Sequence, residues 1–125
     1  VSHYLFDYSR SHDPAAPVIP VIIKTGYGMT SLLPAFLDTG ADGSMIPLAI
    51  LQQIGARYSD KRLLSGITSE SEMVGLYPVQ IQLEAETIYG IEAAGYGSEI
   101  ILGRDVLNQL EVLLNGPALT IEIRV

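Results

Sequence analysis

Cysteine is missing from the chain altogether, which removes a disulfide framework, a zinc–thiolate site and a thiol nucleophile from consideration. Its absence suits a reducing compartment, so a cytoplasmic location is the expectation. Histidine is nearly as scarce. The two present, His3 and His12, both lie in the polar N-terminal segment, and the rest of the chain offers nothing to complete a His-based triad or a His-rich metal site. Positive charge is also short: seven Lys and Arg stand against 14 Asp and Glu, a net charge of −7. That is the wrong sign for tracking a phosphate backbone, and no nucleic-acid partner is expected. No apolar run approaches the roughly 20 residues of a membrane span. The first residues, Val-Ser-His-Tyr-Leu-Phe-Asp-Tyr, lack the basic head and long apolar stretch of a secretory signal. No membrane partner is expected either.

What is present suffices for one core. The chain has 125 residues, 48% of them hydrophobic and 17% charged, which fits a single domain and not a disordered tail. Most of it reads as short strands. Residues 18–24 and 30–38 are apolar and β-branched, with Gly26-Tyr27-Gly28 between them, a strand–turn–strand signal. Pro20 and Pro34 predict that part of each strand runs along an edge or meets a bulge. Further strands are predicted at 72–76, 79–83, 87–93, 99–102 and 118–125. Asn115-Gly116-Pro117 makes 112–114 and 119–123 a closing hairpin. Two short helices interrupt this pattern. One starts at Pro47, shares an apolar face among Leu48, Leu51 and Ile54, and ends at Gly55. The other runs over about residues 104–110, with Val106, Leu107 and Leu110 as its apolar side. The expected organisation is an N-terminal arm over 1–17, flexible at 9–17, followed by one mostly-β domain over 18–125.

The chemistry concentrates in Ala35-Phe36-Leu37-Asp38-Thr39-Gly40-Ala41-Asp42-Gly43-Ser44. An apolar strand runs straight into a carboxylate, and an Asp at the end of such a strand costs free energy unless it is hydrogen-bonded. Thr39 offers a hydroxyl to brace the turn, and Gly40 lets another backbone approach closely. Read by themselves these residues also describe an ordinary turn. A second element comes later: Glu99-Ile100-Ile101-Leu102-Gly103-Arg104-Asp105-Val106-Leu107, an apolar run, a glycine, an arginine and a short helix.

This pair of elements, in this order, resembles the retropepsin-like aspartic proteases over about residues 18–125. It is closer to the cellular and bacterial single-lobe members than to the viral enzymes. The resemblance implies an all-β, single-lobe acid-protease fold in which the two elements pack into a psi-shaped substructure under the catalytic carboxylate. It implies Asp38, Thr39 and Gly40 as the catalytic turn, Ala41 and Asp42 beneath the substrate, and Gly103 and Arg104 as structural support, with Arg104 paired to Asp42. It also implies a flap hairpin at 63–75, whose tip residues Ser65, Gly66, Ile67 and Thr68 would meet the substrate. Ser69-Glu70-Ser71-Glu72 departs from the glycine-rich tip of the viral enzymes. Glu99 and Ile101 share a strand face that would border the side-chain pockets, Ile101 favouring an apolar group and Glu99 a basic one nearby or solvent.

Hydrolysis by this chemistry takes two facing carboxyls that share one proton and hold a water between them. The chain has one Asp-Thr-Gly, so the resemblance implies a homodimer with one Asp38 from each protomer. Peptides or proteins are the substrate, water is the nucleophile, and neither cofactor nor metal is called for. Two other readings of the same residues stand beside it: a non-catalytic peptide-binding or dimerisation module on the same fold, and a divalent-cation site built from Asp38, Asp42 and Asp105.

Overall fold

A computed structural model describes residues 2–65 and 71–125. Its strands are β1 (His3–Asp7), β2 (Val18–Lys24), β3 (Leu33–Leu37), β4 (Met45–Ile46), β5 (Asp60–Leu64), β6 (Glu72–Leu83), β7 (Glu86–Gly95), β8 (Ile100–Leu102), β9 (Glu111–Asn115) and β10 (Thr120–Arg124); the helices are α1 (Leu48–Gln53) and α2 (Arg104–Leu107). The fold is all-β with two short helices. Among the described residues no helix is long and apolar enough to cross a membrane.

Seven strands form one sheet in the order β2-β3-β8-β4-β7-β6-β5, and a further pairing of β2 with β6 bends it into a closed ring that leaves β5 outside. Strand β2 makes the closure because its two halves serve different partners. Val18–Val21 face β3, while Ile22, Ile23 and Lys24 face Gln82, Ile81 and Gln80 of β6. Alternation does the rest: Ile19, Val21 and Ile23 are fully buried on one face, each worth about 1.5–3 kcal/mol of transfer free energy. Pro20 and Pro34 stand opposite each other in the β2–β3 ladder. Two residues without an N–H can face one another only where the ladder asks for neither.

The stretches 72–76 and 79–83 join into the single 12-residue strand β6. One edge of it pairs β7. The other edge serves β5 over 72–76 and β2 over 80–82. Pro78 falls between those two stretches, so the strand passes through it.

The N-terminal segment carries a strand of its own. β1 pairs antiparallel with β10, which in turn pairs β9, to give a separate three-stranded sheet. Tyr4 and Phe6 turn onto the main core, whereas Leu5 faces solvent. Ser2 and Val125 exchange backbone hydrogen bonds, 3.2 Å and 3.0 Å long. Residues 9–16 fold back through a Ser9–Ala16 bridge. The β9–β10 hairpin turns through Leu119 at φ 55. Helix α2 is shorter than its apolar pattern suggests, ending at Leu107.

Candidate active site

Strand β3 delivers Asp38 to the surface. β3 runs parallel to β8, with Leu37 opposite Leu102, and the Asp38 N–H donates to the Leu102 carbonyl at 3.0 Å. The backbone is thus held in the ladder up to the residue whose side chain leaves it. The turn then closes on that side chain: the Gly40 N–H donates to Asp38 Oδ1 at 2.9 Å, and the Ala41 N–H to the Asp38 carbonyl at 3.2 Å. This is the local bonding that Asp favours in turns. Asp38, Thr39 and Gly40 are all exposed on the single chain. Among the described residues the Thr39 hydroxyl braces nothing. Thr39 contributes its carbonyl instead, which accepts from Arg104 Nη1 at 2.7 Å.

Under the turn lies a hydrogen-bonded knot that ties β3's continuation to α2. Ser44 is 1% exposed, the one buried polar residue among those described. Its Oγ accepts the Gly103 N–H at 3.1 Å and donates to Asp105 Oδ1 at 2.8 Å. Asp105 also takes the Ser44 N–H at 3.0 Å and the Val106 N–H at 2.9 Å, so its carboxylate, in the first turn of α2, holds both the backbone and the hydroxyl of Ser44. The Arg104 N–H donates to the Ala41 carbonyl at 2.9 Å, and its guanidinium pairs with Asp42. No buried side-chain polar atom among the described residues lacks a partner. Gly103 is needed for contact: a Cβ there would lie 2.6 Å from the Gly43 carbonyl carbon and 2.9 Å from the Ala41 oxygen.

Ile101 is half-buried in β8, opposite Phe36 on one side and Met45 on the other. Glu99 is exposed at the rim of a separate cavity of about 320 Å³, whose walls include Val18, Leu33, Phe36 and Ile50. The N-terminal segment closes that cavity through His12, which stands edge-on to Phe36 with ring centroids 4.9 Å apart.

β5 and β6 form an antiparallel hairpin in register from Asp60↔Leu76 to Leu64↔Glu72. Ser65 and Ser71 follow, with their hydroxyls 3.1 Å apart. The expected tip residues Gly66, Ile67 and Thr68 lie outside the described residues. Sequence reasoning missed two residues that the fold places at the site. Ser44 is one. Arg62 is the other, since the hairpin carries its guanidinium over Gly43. Among the described residues no three His, Cys, Asp or Glu side chains are grouped as a cation cage; Asp42 and Asp105 are engaged by Arg104 and Ser44.

No protein-family model and no curated protein sequence matches the chain. Solved structures do. A retropepsin-like aspartic protease from Rickettsia conorii covers 98% of this chain and 89% of its own at a TM-score of 0.71, with 12% identity. The chain has the retropepsin-like aspartic protease fold. EIAV protease, complexed with the inhibitor HBY-793, is 28% identical over 75% of this chain and 86% of its own, at a TM-score of 0.51. Identity favours the viral structure and geometry the bacterial one. The geometric measure decides the architecture, because it extends over nearly the whole retropepsin-like chain, including the terminal strands.

Proposed function

We propose that the protein is an aspartic endopeptidase, active as a homodimer, that hydrolyses peptide bonds with a water held between two Asp38 carboxyls, one from each protomer. The observation that carries this reading is the Asp38 turn. A carboxylate stands exposed at the end of a barrel strand, fixed by the Gly40 N–H and by the Ser44–Gly103–Asp105 knot beneath it. A lone exposed carboxylate has no basic strength to spare. Two facing ones cannot both ionise freely, so the pair keeps a single proton and splits the work. The ionised member takes a proton from water, while the protonated member donates to the scissile carbonyl. Water adds to the carbonyl carbon, the tetrahedral intermediate collapses, and the amine leaves with a proton returned from the dyad. No covalent acyl-enzyme forms.

The remaining roles belong to the same proposal. Arg104 fixes the turn through the Thr39 carbonyl and through Asp42, which is left at the cleft floor next to Ala41. The β5–β6 hairpin is the element that would cover an extended peptide, with Ser65 at the base of its tip. Ile101, half-buried in β8, suits an apolar side chain beside the cleaved bond, and the exposed Glu99 suits a basic one nearby. The test is cleavage of a peptide library between about pH 4 and pH 6 by wild type and Asp38→Asn in parallel. Cleavage by wild type alone supports the reading. Equal cleavage by both, or none by a folded and dimeric wild type, overturns it.

A further inference from the structure

Arg62 lies on the flap-side strand, in a run of three charged residues, Asp60-Lys61-Arg62, that would ordinarily be a solvated edge. The register separates them. Arg62 faces Val74 and Leu64 faces Glu72, while Lys61 faces Gly75 and Leu63 faces Met73. Val74 is buried, and Leu64 packs against the small cluster of Val74, Leu76 and Ala94 together with Met45. Leu63 and Met73, on the opposite face, are both more than half exposed. Arg62 is therefore on the inward face of the hairpin, and its guanidinium reaches the chain just beyond the catalytic turn. A Cβ placed on Gly43 would meet Arg62 Nη1 at 2.8 Å. The glycine is what gives the guanidinium its place.

Asp105 Oδ2 also stands near Gly43, 3.8 Å from the same Cβ position, and Asp60 shares the strand face of Arg62, yet neither closes an ion pair with it. Asp42 is paired with Arg104, Asp105 accepts from the Ser44 hydroxyl and from two backbone N–H groups, and among the described residues Arg62 enters no ion pair. The residue stays exposed. An accessible guanidinium with five donors, beside the cleft floor of a chain with net charge −7, is a local exception to the surrounding field. Planar, bidentate pairing with a carboxylate is the interaction it is built for.

We infer that Arg62 is a substrate-selecting residue: it receives an acidic side chain of the bound peptide at a position flanking the cleaved bond. This rests on the endopeptidase reading and adds to it a substrate class, peptides that combine apolar residues at the cleaved bond with a Glu or Asp nearby. The wider negative charge of the protein disfavours acidic peptides in general, so the preference is confined to the position that Arg62 reaches.

The experiment uses synthetic peptides with a fixed apolar pair at the cleaved bond and Glu, Gln or Lys at one flanking position at a time, assayed at about pH 6 so that Glu is ionised. At one position wild type cleaves the Glu peptide about five- to tenfold better in kcat/KM than the Lys peptide, as expected for one well-formed carboxylate–guanidinium contact. Arg62→Gln brings the ratio near unity, Arg62→Glu reverses it, and added salt shrinks it in wild type. Wild type and both variants sharing one Glu-to-Lys ratio at every position overturns the inference while leaving the endopeptidase reading intact. Wild type cleaving no peptide overturns the endopeptidase reading first. In that case the same peptides are titrated against Asp38→Asn with and without Arg62→Glu, and equal affinities remove the Arg62 role as well.

Discussion

Ser44 Oγ lies 2.8 Å from Asp105 Oδ1, and this buried contact joins the chain that follows the Asp38 turn to the start of α2. Ser44→Ala removes the hydroxyl and leaves the Gly103 N–H without its acceptor in a buried position. The cost expected for an orphaned buried donor is about 1–3 kcal/mol. Urea unfolding should show the midpoint falling with an unchanged m-value. An unchanged midpoint would mean that water replaces the hydroxyl and that the knot is not a stability element.

Arg104→Lys separates stability from function. The Arg104 and Asp42 side chains are 43% and 85% exposed, and exposed pairs contribute at most about 1 kcal/mol. Lysine, however, cannot hold the Thr39 carbonyl and Asp42 with two separate nitrogens. Thermal unfolding should therefore shift little while kcat/KM falls by about tenfold or more. A parallel loss of both would show that the arginine acts only through folding.

A shared-proton dyad predicts a bell-shaped pH profile in mild acid. The rate falls at low pH as the second carboxyl protonates and water loses its base. It falls at high pH as the last proton leaves and the carbonyl loses its donor. Both limbs belong to the pair and should vanish together in Asp38→Asn. A flat rate between about pH 4 and pH 9 would contradict the dyad. Because the sequence pI is about 4.6, light scattering should accompany the assay, since solubility is lowest near that value.

On the proposed mechanism, one Asp38 per chain would make activity a property of pairs. Specific activity should fall on dilution if the dimer is weak. Mixing wild type with an equal amount of Asp38→Asn, followed by subunit exchange, should leave about a quarter of the activity of the same total amount of wild type. One half would indicate that each chain works alone.

The architecture could be read from the sequence wherever local pattern and partner agree. The run ending in Leu37-Asp38, the run ending in Leu102-Gly103 and the hairpin around Asn115-Gly116-Pro117 declare themselves, because apolar alternation and turn chemistry lie within a few residues of each other. β1 does not, because His3-Tyr4-Leu5-Phe6-Asp7 has weak alternation and its partner β10 is at the far end of the chain. Pro78 splits β6 on paper, yet it falls where one edge of that strand changes partner.

At the site, the carboxylate, the turn and the arginine are legible as residue types. Ser44 is not, since a serine after Asp-Gly looks like solvated turn until Gly103 and Asp105 are seen to enclose it. Arg62 is hidden among three adjacent charges. Only the β5–β6 register puts Asp60 and Arg62 on the inward face and Lys61 on the other, and only the space at Gly43 shows where the guanidinium lies.

The mutual hydrogen bonds of Ser2 and Val125 have a consequence for how the molecule can be re-strung. A tether of about four residues suffices to join these neighbours, and the exposed turn at Gly116 and Pro117 offers a place to open the chain instead. In such a circular permutant the terminal sheet keeps its strand order, the barrel and the Asp38 turn are untouched, and the new ends leave from the tip of the β9–β10 hairpin.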